Sequence, residues 1–217
     1  MSLRIYYGGT FDPIHQGHLA IARAARDELQ VAVRLLPAAD PPHRPPPGAD
    51  ARQRCEMVAL ALGDEPGLLL DRQELERAER QPGQPSYTVD TLIELRQALG
   101  PARSLAWLVG ADSLLGLPGW HRWQELFGLA HFIVADRPGS ALQWTVDGPL
   151  GEALAGRWVD SPEALFARAA GNVLRLGQPL RSESASQVRA LLAAGQDASS
   201  LLPAAVADYV QAQHLYR

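Results

Sequence analysis

At 217 residues, with 47% hydrophobic and 20% charged positions and a formal charge of −4, the chain has the make-up of a globular protein long enough for one substantial core. That balance excludes a basic nucleic-acid footprint, so anionic ligands have to be held by local sites rather than by the overall field. The absence of an 18-residue apolar run and of a signal-peptide pattern after M-S-L-R-I points to a cytoplasmic protein with no membrane or nucleic-acid partner. Cys55, the one cysteine, leaves no internal disulfide or cysteine-based zinc cluster; its helical setting with Met57, Val58 and Leu62 marks a buried structural thiol.

In chain order, a short apolar run at Leu3, Ile5, Tyr6 and Tyr7 predicts a strand that ends in Gly8-Gly9. It passes through Thr10, Phe11 and Asp12-Pro13 into helical spacing over about 16–29. Two glycines before a helix start let backbone approach a bound group. The outward N–H groups and the helix dipole favour an anion there, so the loop reads as a phosphate cradle. His15 and His18, three apart, share a face if both lie in the first turn, with Gly17 leaving room beside them; imidazole suits hydrogen bonding to phosphate near neutral pH.

Residues 31–37 predict a second strand, largely apolar rather than alternating, as a strand covered on both faces should be. The proline-rich loop after it lies on the side where parallel sheets bind ligands. Taken alone, its His43 and Arg44 suit a solvated linker; beside the first loop they read as phosphate contacts. A helix over 51–62 stopped by Gly63 and a strand over 68–70 follow, then a charged stretch from Glu74 to Arg80 expected to be solvated. Ser86 or Thr88 is the expected N-cap of the next helix, whose buried stripe is Leu92, Ile93 and Leu95; Tyr87 and Thr88 suit packing or ligand contact equally.

The fourth strand, 104–109, runs straight into Gly110-Ala111-Asp112, which places Asp112 to accept hydrogen bonds from a ribose, to engage a metal-bound nucleotide or to cap a helix. Trp120, after a Pro-Gly turn, is the better stacking candidate of the Trp120/Trp123 pair. Strands follow at 131–135 and 172–176, with nothing functional read between 139 and 170. From about 184 the chain turns helical: Ser184 or Ser186 caps a helix carrying Arg189, expected on its first turn, where a guanidinium forms paired bonds to phosphate oxygens. A closing packing helix near Pro203 shows Val206, Tyr209 and Val210 on one face. The sum is a Rossmann-like, doubly wound, mainly parallel α/β sheet with helices on both faces, expected as a single domain over residues 1–217.

G-G-T-F-D-P-I-H-Q-G-H matches neither a Walker A loop nor the Rossmann G-x-G-x-x-G. It resembles the H-x-G-H loop of the nucleotidyltransferase superfamily. With P-P-H-R, P-S-Y-T-V-D-T-L, G-A-D-S before W-H-R-W, V-A-D-R-P-G and S-A-S-Q-V-R, almost the whole chain resembles the bacterial nicotinate-nucleotide adenylyltransferases. The resemblance implies an enzyme of NAD biosynthesis that moves the adenylyl group of ATP to nicotinate mononucleotide with Mg²⁺, the chain itself supplying no metal ligands. It implies that His15, His18 and Arg189 are catalytic, and that Gly8, Gly9, Thr10, Phe11, Gly110, Asp112, Ser184 and Ser186 complete the ATP side. His43, Arg44, Tyr87, Thr88, Trp120, His121 and Arg137 fall to the mononucleotide. Two positions depart from the family pattern: Arg44 stands where many relatives carry Lys, and Ala185 where a hydroxyl is usual, so Ala185 receives no hydrogen-bonding role. Transfer to the amide acceptor, nicotinamide mononucleotide, is the rival within the enzyme class, and a catalytically silent nucleotide-binding sensor the rival outside it.

Overall fold

The computed structural model describes residues 2–39, 47–136, 147–178 and 183–217. The first half alternates as the sequence predicts: β1 (Leu3–Gly9), α1 (Gln16–Leu29), β2 (Val33–Pro37), α2 (Ala51–Leu62), β3 (Leu68–Leu70), α3 (Gln73–Arg80), α4 (Thr88–Leu99) and β4 (Ser104–Gly110). The second half adds short helices α5 (Ala111–Leu115) and α6 (Leu126–Leu129), then β5 (His131–Ala135), α7 (Gly148–Leu154), β6 (Trp158–Val159), α8 (Glu163–Ala167), β7 (Val173–Arg175), α9 (Ala185–Ala193) and α10 (Ala204–Ala212).

The strands form one parallel sheet in the order β3-β2-β1-β4-β5-β7-β6. From β1 the chain winds outward through β2 to β3, then returns to lay β4 against the other side of β1, with Tyr7 in register with both Leu35 and Leu108. Winding therefore reverses between β1 and β4, and their carboxyl ends, Gly9 and Gly110, flank the crevice where such sheets bind ligands.

The period-2 alternation of the strands divides the interior into two cores. Ile5, Tyr7, Leu35, Ala106, Leu108 and Ile133 pack on the face covered by α1, α2, α9 and α10. Tyr6, Leu36, Leu105, Trp107, Phe132 and Val134 pack on the opposite face, under α4 to α7. Cys55 is buried in α2, and burial pushes its thiol pKa up, as befits a structural position. Asp50 starts α2 by accepting from the Gln53 amide at 2.8 Å while Gln53 answers to the Asp50 amide at 3.0 Å, and Gly63 ends it at φ 49°.

Two expectations need correction. The 74–80 stretch is helix α3 rather than a solvated segment, because Glu74 and Arg77 are buried against partners from α4. Neither Ser86 nor Thr88 caps α4: Tyr87 occupies the N-cap position without a side-chain bond, and the Ser86 hydroxyl is turned toward Glu74 and Arg77. The region passed over without a reading contains β6, a two-residue strand at the sheet edge, too short to leave a period in the sequence.

Candidate active site

A cavity of about 670 Å³ opens at the carboxyl ends of β1 and β4. Its floor is the loop after β1. Phe11 sits there in the left-handed region at φ 49°, a conformation costly for a bulky side chain and one that persists when surroundings impose it. The Phe11 ring meets Tyr7 edge-on at 5.5 Å and His18 edge-on at 5.0 Å, and a Cβ on Gly9 would come within 3.0–3.2 Å of it. Gly8 is constrained more sharply, since a Cβ there would lie 2.0 Å from the Trp107 ring. The protein's own packing thus excludes a side chain at Gly8 and crowds one at Gly9, and both glycines line the cavity. Gly110 is the reverse case: nothing lies within 4 Å of its Cβ position, which looks onto open space at the crevice.

His15 is the N-cap of α1 and His18 its third residue, and the rings stack at 3.7 Å with a tilt of 30°. The His15 amide donates to His18 Nδ1 at 3.3 Å, so the neutral His18 ring carries its proton on Nε2. Gly17 leaves room as expected, because a Cβ there would touch the His15 ring at 3.0 Å. Both imidazoles line the cavity at a helix N-terminus, where donors and dipole favour an anion.

Opposite, Ser184 caps α9 by accepting from the Gln187 amide, and Ser184, Ser186 and Arg189 reach the cavity wall. Arg189 lies one turn further along α9 than expected. Its Nη1 donates to the Asp12 carbonyl oxygen at 2.6 Å and stands 3.6 Å from the Asp12 carboxylate, which fixes the guanidinium against the phosphate loop. Thr10, Asp112, Thr88 and Trp120 also line the cavity. Tyr87 and His121 stand beside it, stacked on each other at 4.4 Å. His43, Arg44 and Arg137 lie outside the described residues.

The groups that hold this loop system are largely unmarked in the sequence. Asp12 is buried; its two carboxylate oxygens accept from the Gly48 amide at 2.9 Å and the Ala49 amide at 3.1 Å, and the Tyr216 hydroxyl adds a bond of 2.7 Å. Burial, then the bond to Asp12, raises the Tyr216 pKa far above that of a free phenol. Arg54, almost wholly buried, donates to the carbonyl oxygens of Thr10, Ala38, Ala39 and Ala49, and desolvation lowers its pKa. The one available signal was Arg54 itself, a charge on the same stripe of α2 as Met57 and Val58.

A doubly wound sheet carrying paired histidines and an arginine in the cavity at its switch point has the make-up of a nucleotidyltransferase-like α/β protein. Residues 6–190 match the model of the cytidylyltransferase-like family, and the chain belongs to that family. Over its full length it is 73% identical to a protein of Stenotrophomonas maltophilia (strain K279a) described as a probable nicotinate-nucleotide adenylyltransferase, covering 98% of that relative. A Xylella fastidiosa (strain 9a5c) protein with the same description is 46% identical over 215 residues, 99% of this chain and 96% of the relative. The fold is shared with the Plasmodium falciparum nicotinic acid mononucleotide adenylyltransferase solved with NaAD, at a TM-score of 0.72 and 16% identity, covering 100% of this chain and 98% of that one.

Proposed function

We propose that this protein, acting as a single domain in the cytoplasm, transfers the adenylyl group of ATP to nicotinate mononucleotide, giving deamido-NAD and pyrophosphate. The observation that carries the reading is the joining of His15, His18 and Arg189 in one cavity at the switch point of the sheet. The full-length likeness to nicotinate-nucleotide adenylyltransferases supplies the acceptor.

The chemistry suits such a site. A phosphate-monoester oxygen of the acceptor, largely ionised near neutral pH, attacks the α-phosphorus of ATP as the bond to the β-bridging oxygen breaks and pyrophosphate departs. The nucleophile needs no base from the protein, whose contribution is alignment and relief of negative charge. His18 donates from Nε2 to the α-phosphate, His15 serves the neighbouring phosphates, and Arg189 with Ser184 and Ser186 holds the outer ones. Gly110 and Asp112 take the adenosine side. His43, Arg44 and Arg137 serve the acceptor phosphate side, and Thr88, Trp120, Tyr87 and His121 the nicotinate ring and carboxylate, with Trp120 stacked on the pyridine. Mg²⁺ enters as part of the Mg-ATP substrate, bound by phosphate oxygens and water.

The test is pyrophosphate release from Mg-ATP with each acceptor. Release is expected to be much faster with nicotinate mononucleotide than with its amide; equal rates or the reverse order overturn the acceptor, and no release with either supports a binding protein without catalysis.

A further inference from the structure

The charged face of α3 has an occupation that the catalytic reading leaves unused. Glu74 and Arg77, on neighbouring turns of α3, are 95% and 92% buried, yet their closest charged atoms are 3.9 Å apart. Two hydroxyls bridge the gap. Arg77 Nη2 donates to Ser86 Oγ at 2.7 Å and to Thr91 Oγ1 at 2.8 Å. Ser86 then donates to Glu74 Oε2 and Thr91 to Glu74 Oε1, each at 2.7 Å. Since a guanidinium only donates and a carboxylate only accepts, every proton in this ring has one permitted direction. Arg77 Nη1 pairs with Glu94 at 3.1 Å, Gln73 donates to the same carboxylate at 2.8 Å, and the Ala39 amide reaches Glu74 at 3.4 Å.

The two hydroxyls straddle the start of α4, and between them lies Thr88, on the cavity wall beside Ser86 and Glu74. A buried ion pair adds little stability over a well-packed apolar replacement, whereas a closed ring of directed hydrogen bonds fixes position. We propose that Glu74 and Arg77 are positioning residues for acceptor selection: through Ser86 and Thr91 they hold the first turn of α4 where Thr88 and the helix N-terminus receive the nicotinate carboxylate. The inference rests on the acceptor assignment above and names the device that enforces it. The helix dipole favours a carboxylate over a neutral amide at that end, and only a turn held still converts the preference into discrimination.

Thr91 gives the decisive variant, being fully buried and off the cavity wall, so that it cannot touch the acceptor. In Thr91→Val the KM for nicotinate mononucleotide should rise about tenfold, the scale of one lost hydrogen bond to a charged group, and the acid-over-amide preference should fall by a similar factor. The KM for ATP and kcat should stay within about twofold, because no group on the ATP side is released. Ser86→Ala should act in the same direction, and Thr91→Ser, which keeps the hydroxyl, should restore the native values. If Thr91→Val does not fold, Thr91→Ala against Thr91→Ser decides, since both leave the cavity wall untouched. Unchanged acceptor KM and preference in folded variants, or equal losses for both substrates, overturns the clamp while the wild-type preference stands. A wild type that does not distinguish acid from amide overturns the acceptor assignment and the clamp's role in selection together.

Discussion

His18 acquires its orientation from a main-chain atom: the His15 amide occupies Nδ1, which puts the proton of the neutral ring on Nε2, while the Phe11 edge and the His15 ring confine the imidazole from two sides. His18→Ala should therefore cost on the order of 100-fold or more in kcat, the scale for removing one transition-state donor, with little change in Tm because the ring is only half buried. His18→Gln, whose amide nitrogen can reach the Nε2 position, should recover part of the loss. Turnover in His18→Ala within a few-fold of native would remove the residue from its role. At this scale the pattern G-G-T-F-D-P-I-H-Q-G-H told which residues gather but not why each is there. Gly8 answers to Trp107, 99 positions away, and such a contact leaves no trace in local sequence. Gly110 lines the same cavity with open space at its Cβ position.

Between elements, the legible features were those with a period or a punctuation mark. The bounds of α1, α2, β3 and β5 follow from apolar spacing and from Gly63. Charges that are neutralised by distant partners misled: α3 reads as solvated because the sequence shows Glu74 and Arg77 without Ser86 and Thr91. The tail after α10 is a similar case, since Tyr216 approaches Asp12 across 204 positions. Through Asp12 the chain's end is tied both to the loop at Gly48–Ala49 and to Arg189. Tyr216→Phe keeps the ring that packs on Gly48 and removes only the hydroxyl. It should lower unfolding free energy in urea by about 1.5–3 kcal/mol, the range for a hydrogen bond to a charged group, and should raise the KM for ATP as Arg189 loosens. A native urea midpoint with native ATP kinetics would show that the tail does not brace the site.

Across the whole molecule, function and stability occupy opposite ends of the sheet. The cavity lies at the carboxyl ends of β1 and β4, whereas His131 begins β5 at the other end, fully buried. The Asn172 amide donates to its Nδ1 at 3.0 Å, and Nε2, 3.0 Å from the Arg168 carbonyl, is then the protonated nitrogen, so the folded protein holds the neutral ring. Burial is the main cause that lowers its pKa below the ordinary value, partly opposed by the bond to Arg168. The unfolded chain therefore takes up a proton near about pH 6.5 that the folded chain refuses. This contribution to stability is complete above that pH and is lost as pH falls toward the depressed folded value, with a slope of at most about 1.4 kcal/mol per pH unit. Melting curves between about pH 7.5 and about pH 5.5, roughly one unit either side of the free imidazole value, should show Tm falling more steeply for the native protein than for His131→Gln, which keeps an uncharged donor. The variant's Tm at neutral pH should be the lower of the two, and the curves should converge on acidification. Every other residue is common to both proteins, so the difference isolates His131, and parallel curves would show that its burial is not linked to acid unfolding. Because His131 lies away from the crevice, the same variant should keep the native acceptor preference.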